Sequence, residues 1–255
     1  MVRTENAGVS SELTAACGRS RQGGNRARGY APLRRIRMAQ PIQFSNKFSI
    51  LNWLNKPSSG GETMSNDLTR TEERKALRKS LIKARNSLTP EERAEKSALA
   101  VERLAASEVF RAANTVMIYD HVGGELSLDA LLTHPASAGK RFCYPLCVSR
   151  TEMIAMIPGA WQSGAYGIRE PVRERSEEIA PEDLDLVVCP GTGFDPACNR
   201  MGMGGGYYDR YLPKCTRANI VLVAFEAQKV PALPVDPWDR PVEQVFTEAA
   251  VYRNS

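Results

Sequence analysis

The stretch from Leu184 to Arg210 constrains this chain more than any other. Leu184-Asp185-Leu186-Val187-Val188-Cys189 is a mostly apolar run with β-branched residues, and Pro190 ends it. A run of that length, bounded by a turn signal, reads as a strand buried on both faces. Six glycines follow between positions 191 and 206, and four of them, Gly202, Gly204, Gly205 and Gly206, fall within five residues. A short helix is expected from Tyr207 to Leu212, stopped by Pro213. Strand, glycine loop and helix start together suit a phosphate: glycines let backbone amides close on an anion, and a helix start favours negative charge.

The competing reading of such a cluster is a flexible loop. Two flanking charges weigh against it. Arg200 precedes the glycines and can neutralise phosphate, and Asp209 follows them and can hold magnesium. No Gly-Lys-Ser/Thr ends the loop, so it is not a Walker loop. Gly202-Met203-Gly204 begins like a dinucleotide fingerprint, and Glu226 lies about the required 20 residues on. The long irregular segment before the glycines does not fit that turn.

The charge of the chain is uneven. Residues 1–63 hold ten Lys/Arg against three Asp/Glu, so the net +5 belongs to this leader and the remainder is slightly acidic. The remainder gives no electrostatic argument for nucleic acid. The leader is Arg-, Ser-, Gly- and Asn-rich, and its one apolar patch, Phe48–Leu54, is too short to span a membrane. It reads as a transit peptide, a disordered basic tail, or an extension that is not made. Met64-Ser65-Asn66-Asp67 resembles an ordinary start, so a disordered leader over 1–66 and one folded domain over 67–255 are expected. The six cysteines show no Cys-x-x-Cys pair, and His121 and His134 give no zinc spacing. Small buried thiols in a reducing cytoplasm are expected.

From Thr71, Leu77, Leu81, Ala84 and Leu88 recur at helical spacing, with Arg74, Lys75, Arg78 and Lys79 off that stripe. Arg74 and Arg78 lie one turn apart, on what is either a solvated basic face or a phosphate-facing one. Thr89-Pro90-Glu91-Glu92 starts a second helix, with Ala94, Ala98, Val101 and Leu104 on one face. Asn114–Tyr119 reads as a buried strand, with a loop from Asp120 to Glu125 at its end, where ligands gather in open α/β sheets. Glu125 is then a helix-start carboxylate or a ligand. Further strands are expected at Arg141–Pro145, Met153–Ile157, Ile220–Phe225 and from Val245. Trp161 and Tyr166 are aromatic candidates for a pocket wall, with core packing the favoured role for each, and Glu174–Asp183 is expected to be an exposed connection. Strands that are apolar throughout and alternate with helices imply an α/β fold: a single three-layer, Rossmann-like domain with a mainly parallel sheet.

Pro190-Gly191, Phe194-Asp195, Asn199-Arg200-Met201-Gly202 and Gly204-Gly205-Gly206-Tyr207-Tyr208-Asp209-Arg210 closely resemble the phosphate loop of the 5-formyltetrahydrofolate cyclo-ligase (5,10-methenyltetrahydrofolate synthetase) family, and the resemblance runs from about Thr71 to Val251. It implies an enzyme that joins ATP and 5-formyltetrahydrofolate to give 5,10-methenyltetrahydrofolate, ADP and phosphate. It implies ATP binding by Arg74, Lys75, Arg78, Arg200, Met201, Gly202, Met203, Gly204, Gly205, Gly206, Tyr207 and Tyr208. It implies folate binding by Arg78, Glu125, Met203, Gly204, Gly205, Gly206 and Tyr207, catalysis by Arg78, Arg200 and Tyr207, and magnesium (Mg2+) at Asp209 and Asp239. Gly167–Pro171 resembles the family's segment that closes over the pocket. The chain departs from the pattern at Arg74, where the family has Lys, and at Trp238, where it has His or Asn. A cytoplasmic monomer without nucleic-acid or membrane partners is expected. The alternative is a non-catalytic nucleotide- or RNA-binding module of the same fold.

Overall fold

The computed structural model describes residues 63–254 apart from 165–166 and 237–238. The leader through residue 62, Tyr166 and Trp238 lie outside the described residues. Helix α1 (Thr63–Asn86) starts before the expected Thr71. It is followed by α2 (Pro90–Ala106), α3 (Glu108–Ala112) and β1 (Thr115–Met117). Next come α4 (Asp129–Leu132), β2 (Arg141–Cys147), β3 (Met153–Ile157), β4 (Trp161–Ser163), β5 (Arg169–Pro171), β6 (Glu177–Ile179) and β7 (Leu186–Cys189). The chain continues through β8 (Gly193–Phe194), β9 (Arg200–Met201), α5 (Tyr207–Tyr211), β10 (Asn219–Val223), β11 (Gln244–Phe246) and β12 (Val251–Arg253).

The capping box at Thr89 forms as the sequence indicates: Thr89 Oγ1 accepts from the Glu92 amide, and Glu92 Oε2 accepts from the Thr89 amide. The buried face of α2 differs from expectation. It is Ser97, Ala100, Val101, Leu104 and Ala105, while Ala94 and Ala98 face outward. Alanine is indifferent to which side it takes, so the larger Val101 and Leu104 set the helix rotation.

Eight strands form one sheet in the order β12-β11-β10-β7-β1-β2-β3-β6. The five central strands, β11-β10-β7-β1-β2, are parallel, and antiparallel strands extend both margins. The parallel centre is the expected one. The margins are not legible as such, and the supposed connection over Glu174–Asp183 contributes β6, whose Ile179 is buried while Glu177 and Glu178 stay outside.

The parallel strands are buried on both faces. Val116, Leu186, Val188, Val221 and Val223 pack with α2 and with Phe110 of α3. Met117, Cys143, Val187 and Cys189 pack on the opposite face with Tyr211 and Leu212 of the α5 region. Chain order among the parallel strands reverses between β1 and β7. In a doubly wound sheet that reversal opens a crevice at the carboxyl ends of the two strands. Thr115 is joined to β7's start by Asp185, whose Oδ2 accepts the amides of Asn114 and Thr115, both at 2.9 Å. No described helix is long and apolar enough to cross a membrane.

Candidate active site

The loop after β7 is less irregular than its composition suggests. It folds into the β8–β9 hairpin, whose turn is built around buried Asp195. Asp195 Oδ1 accepts the amides of Ala197 and Asn199, both at 3.1 Å, and Oδ2 accepts Asn199 Nδ2 and the Leu233 amide, both at 2.9 Å. Thr192 donates to the Met201 carbonyl at 3.0 Å, and Gln228 donates to the Gly191 carbonyl at 2.8 Å. The glycines that follow are therefore carried on a fixed base. Gly204 and Gly206 adopt φ of +98° and +66°, a region where L side chains are strained. Helix α5 has only five residues before Leu212–Lys214 continues it as a 3₁₀ turn through Pro213. Its dipole is small, so an anion at this loop would meet loop amides and nearby arginines rather than the helix start anticipated from sequence.

Those arginines come from α1, and from its inner face. Arg74, Arg78, Leu81 and Arg85 follow at intervals of four, three and four residues, so one stripe carries all of them. Arg74 Nη1 donates to the Pro234 carbonyl and to Asp239 Oδ2, each at 2.5 Å, and lies 3.2 Å from Asp236 Oδ2. Arg78 Nε donates to the Gly202 carbonyl at 2.8 Å, and its guanidinium lies against Gly204. Leu81 packs with Met201 and Leu233, and fits so closely on Gly193 that a Cβ there would lie 2.4 Å from Leu81 Cδ1. Arg85 lies 3.4 Å from Glu125 Oε1. Burial, then the neighbouring charge of Arg74, lowers the Arg78 pKa, and Asp239 opposes both. Lys75 and Lys79 are exposed, and Lys75 pairs with Glu72 at 3.5 Å. Of the basic residues off the apolar stripe, Arg74 and Arg78 lie inward, and Lys75 and Lys79 outward.

Beneath the glycines, Arg200 is nearly buried, with its Nη2 on Asp209 Oδ1 and its Nη1 3.4 Å from the Pro190 carbonyl. It sits under the loop rather than reaching out from it. Met201 is a core residue, whereas Met203 is 60% exposed. The two adjacent tyrosines diverge. Tyr207 donates its hydroxyl to the Ser149 carbonyl at 3.1 Å, with Arg210 over its ring. Tyr208 turns inward, with a buried hydroxyl that has no hydrogen-bond partner among the described residues. Burial first, then Cys189, raises the Tyr208 pKa, with Tyr119 and Glu125 adding to it against Arg200. Tyr208 packs against the cluster of Met117, Val187 and Cys189, with Arg200 over its ring 5.6 Å from the centroid.

Glu125 hangs below the end of β1. Its Oε2 accepts the Val122 amide at 3.1 Å, and its side chain is 10% exposed. Beside it, Tyr119 donates to the Leu126 carbonyl at 3.0 Å. The preceding Gly124 lies under the Asn86 side chain at the end of α1, where a Cβ would lie 2.2 Å from its Oδ1 and make that side chain shift. At the other side of the loop, Asp120 receives the Arg169 backbone amide at 3.1 Å and its Nη2 at 2.7 Å, which ties the β4–β5 hairpin to the β1 end. Trp161 is 39% exposed, with Arg169 over its ring 5.1 Å from the centroid, so its expected core role is wrong. A strand with every residue exposed offers Trp161 no interior to enter. Cys147 likewise is an exposed free thiol, against the expectation of buried ones, while Cys143, Cys189, Cys198 and Cys215 are buried and free.

Asp209 and Asp239 each already hold an arginine. Asp239 Oδ2 takes Arg74 and the Asp236 amide, and Asp209 Oδ1 takes Arg200. Each carboxylate keeps a second oxygen. The described residues contain no group of three or more His, Cys, Asp or Glu side chains able to hold a metal. This donor set fits magnesium that arrives with phosphate oxygens and water and takes one or two carboxylates, and does not fit a cation caged by protein alone.

Known proteins share this arrangement of elements. A sequence model of the 5-formyltetrahydrofolate cyclo-ligase family matches residues 70–248. The chain is 30% identical to the 5-formyltetrahydrofolate cyclo-ligase of Escherichia coli K12 over 175 residues, covering 66% of this chain and 96% of that relative. It is 28% identical to the Mus musculus cyclo-ligase over 193 residues, covering 69% and 93%. Among solved structures, the 5,10-methenyltetrahydrofolate synthetase of Aquifex aeolicus superposes with a TM-score of 0.64 at 33% identity, covering 71% of this chain and 92% of that one.

Proposed function

The chain belongs to the 5-formyltetrahydrofolate cyclo-ligase family and is an enzyme of 5-formyltetrahydrofolate conversion, and from that premise we propose that it closes the folate ring by phosphoryl transfer from ATP, releasing ADP and phosphate. The observation that carries this reading is the Arg78 guanidinium, fixed on the Gly202 carbonyl and lying against Gly204.

A formamide oxygen is a poor leaving group at neutral pH. Transfer of the γ-phosphoryl group to that oxygen breaks its bond to the ADP oxygen and leaves an electrophilic carbon on N5. The N10 lone pair attacks that carbon, the C–O bond breaks as phosphate departs, and the N10 proton is lost. Such transfer depends chiefly on positioning and on charge stabilisation. The amides of Gly202–Gly206 and Arg78 supply both, with Arg200 supporting the loop from beneath. Glu125 accepts hydrogen bonds from the donor edge of the pterin. Asp209 and Asp239 would hold magnesium, which screens the phosphate charge when bound. The enzyme is read as a cytoplasmic monomer, and the four buried free thiols suit the reducing compartment in that reading.

The test is to follow methenyltetrahydrofolate absorbance on adding 5-formyltetrahydrofolate and MgATP to purified protein. Absorbance that grows only with both substrates is expected. Growth without nucleotide would exclude the phosphoryl route, and ATP binding without any absorbance change would leave a binding module.

A further inference from the structure

We propose that Arg85 is a positioning residue for folate recognition, acting through Glu125: their ion pair, buried between the last turn of α1 and the loop after β1, holds the carboxylate in its acceptor geometry. The proposal rests on the reading that Glu125 binds the folate.

The two side chains are 6% and 10% exposed, and Arg85 Nη1 lies 3.4 Å from Glu125 Oε1. Arg85 Nε is buried and has no hydrogen-bond partner among the described residues. A guanidinium in that state is costly to bury, and the nearby carboxylate is what offsets the cost. The same holds in reverse: without Arg85, Glu125 is a buried anion steadied, among the described residues, only by the Val122 amide. The contact also fixes where the carboxylate points. One oxygen faces Arg85 and the other faces the Val122 amide, so rotation of the carboxylate breaks both contacts. The Asn86 side chain, next to Arg85, packs over Gly124, next to Glu125.

Arg85 completes the pattern of α1. Arg74 grips the 234–239 loop, Arg78 the glycine loop and Arg85 the loop after β1. One rigid helix therefore sets three separate loops relative to one another. The first two contacts lie with the residues read as serving nucleotide and magnesium. The third lies with the residue read as serving folate, so the effect of losing Arg85 should be confined to folate.

The experiment is a double-mutant cycle read by equilibrium titration with 5-formyltetrahydrofolate and, separately, with ATP. The proteins are the parent chain, Glu125→Gln, Arg85→Met and the double variant, with Arg85→Lys as the conservative rescue. Each single variant should weaken folate binding by about tenfold, a usual effect of losing one charge-assisted contact. The double variant should also be about tenfold weaker, rather than about a hundredfold, because both changes remove the same unit. ATP affinity should stay within about twofold throughout, and Arg85→Lys should recover most of the folate affinity. The double variant buries neither charge, so it keeps the test open if either single variant folds poorly. Normal folate binding by Arg85→Met beside an impaired Glu125→Gln overturns the positioning role and leaves the reading of Glu125 intact. A multiplicative double variant, or equal loss of ATP binding, also overturns it. Normal folate binding by Glu125→Gln removes the underlying reading and this proposal with it.

Discussion

Arg74 Nη1 donates to Asp239 Oδ2 at 2.5 Å, joining the first helix to a loop 165 residues further along the chain. The same nitrogen reaches the Pro234 carbonyl, and Asp236 stands 3.2 Å away with a second contact to Arg70 at 3.3 Å. Arg74 thus holds the loop that carries one of the two aspartates proposed for magnesium.

Arg74→Ala should release that loop. A loss of about 1 kcal/mol is expected, since the pair is partly buried and the arginine also serves a carbonyl. The magnesium requirement of turnover should rise several-fold. Arg74→Lys should retain one contact and fall between the two. Thermal melts and magnesium titrations of turnover decide it. An Arg74→Ala enzyme with parental magnesium dependence would show that the grip has no bearing on Asp239.

Arg78→Ala removes a cation that stands on the glycine loop itself. Charge-assisted hydrogen bonds contribute roughly 1.5–3 kcal/mol, so the ATP requirement should rise about tenfold or more. Arg78→Lys restores charge but not the directed Nε contact to Gly202, so it should recover only part of the loss. ATP titration of both variants tests this. Equal behaviour of the alanine and lysine variants would mean that shape, and not charge, is what Arg78 supplies.

These two arginines show what was legible in the sequence. The parallel core, β1 and β7 above all, announces itself because strands buried on both faces must be apolar throughout. The glycine loop is legible as a loop because Gly202, Gly204, Gly205 and Gly206 fall within five residues, a run that neither helix nor strand favours. The inward turn of Arg74, Arg78 and Arg85 is not legible. Arginine can bury its stem and pair its head, so hydropathy spacing alone puts such residues on the wrong side of α1. The Arg85–Glu125 contact spans 40 residues and leaves no local signal. Strand β6 is hidden for the opposite reason, because an edge strand rich in glutamate resembles a loop. Asp195 could have been found: an aspartate four residues before an asparagine, in a tight turn between strands, suits side-chain capture of backbone amides.

Asp185 should make the fold sensitive to acid. Its hydrogen bond from the Thr115 amide, opposed by burial and aided by that from Asn114, holds its pKa below the usual carboxylate value. A depressed folded-state pKa means that this contribution is fully present above the unfolded value of about 3.9 and is lost as pH falls through the folded one. Asp185→Ala should therefore cost about 1–3 kcal/mol near neutrality, with two amides left without this acceptor. The gap from the parent protein should close below about pH 4. Denaturant melts at several pH values measure it, and a gap that persists unchanged well below about pH 4 would remove Asp185 from the acid transition.

The glycine loop itself can be tested at Gly206, where conformation and space both exclude a side chain. Its φ is +66°, and a Cβ would lie 2.6 Å from Arg210 Nη1. Arg210 cannot yield freely, because its Nη2 donates to the Gly205 carbonyl and its Nε to the Thr151 carbonyl, both at 2.8 Å. Gly206→Ala must then either adopt the left-handed region at about 1–2 kcal/mol or rearrange the loop and free Arg210. Both outcomes disturb the amides proposed to meet phosphate, while the sheet core is untouched. ATP affinity should fall by about tenfold or more, with a drop of only a few degrees in melting temperature. Gly205→Ala provides the control, because its φ is not positive and the tightest neighbour of its Cβ is the Tyr207 ring at 3.1 Å. It should lose less ATP affinity than Gly206→Ala. If the two variants bind ATP equally well, the left-handed backbone at Gly206 is not what shapes the phosphate site, and the binding must rest on the arginines of α1 instead.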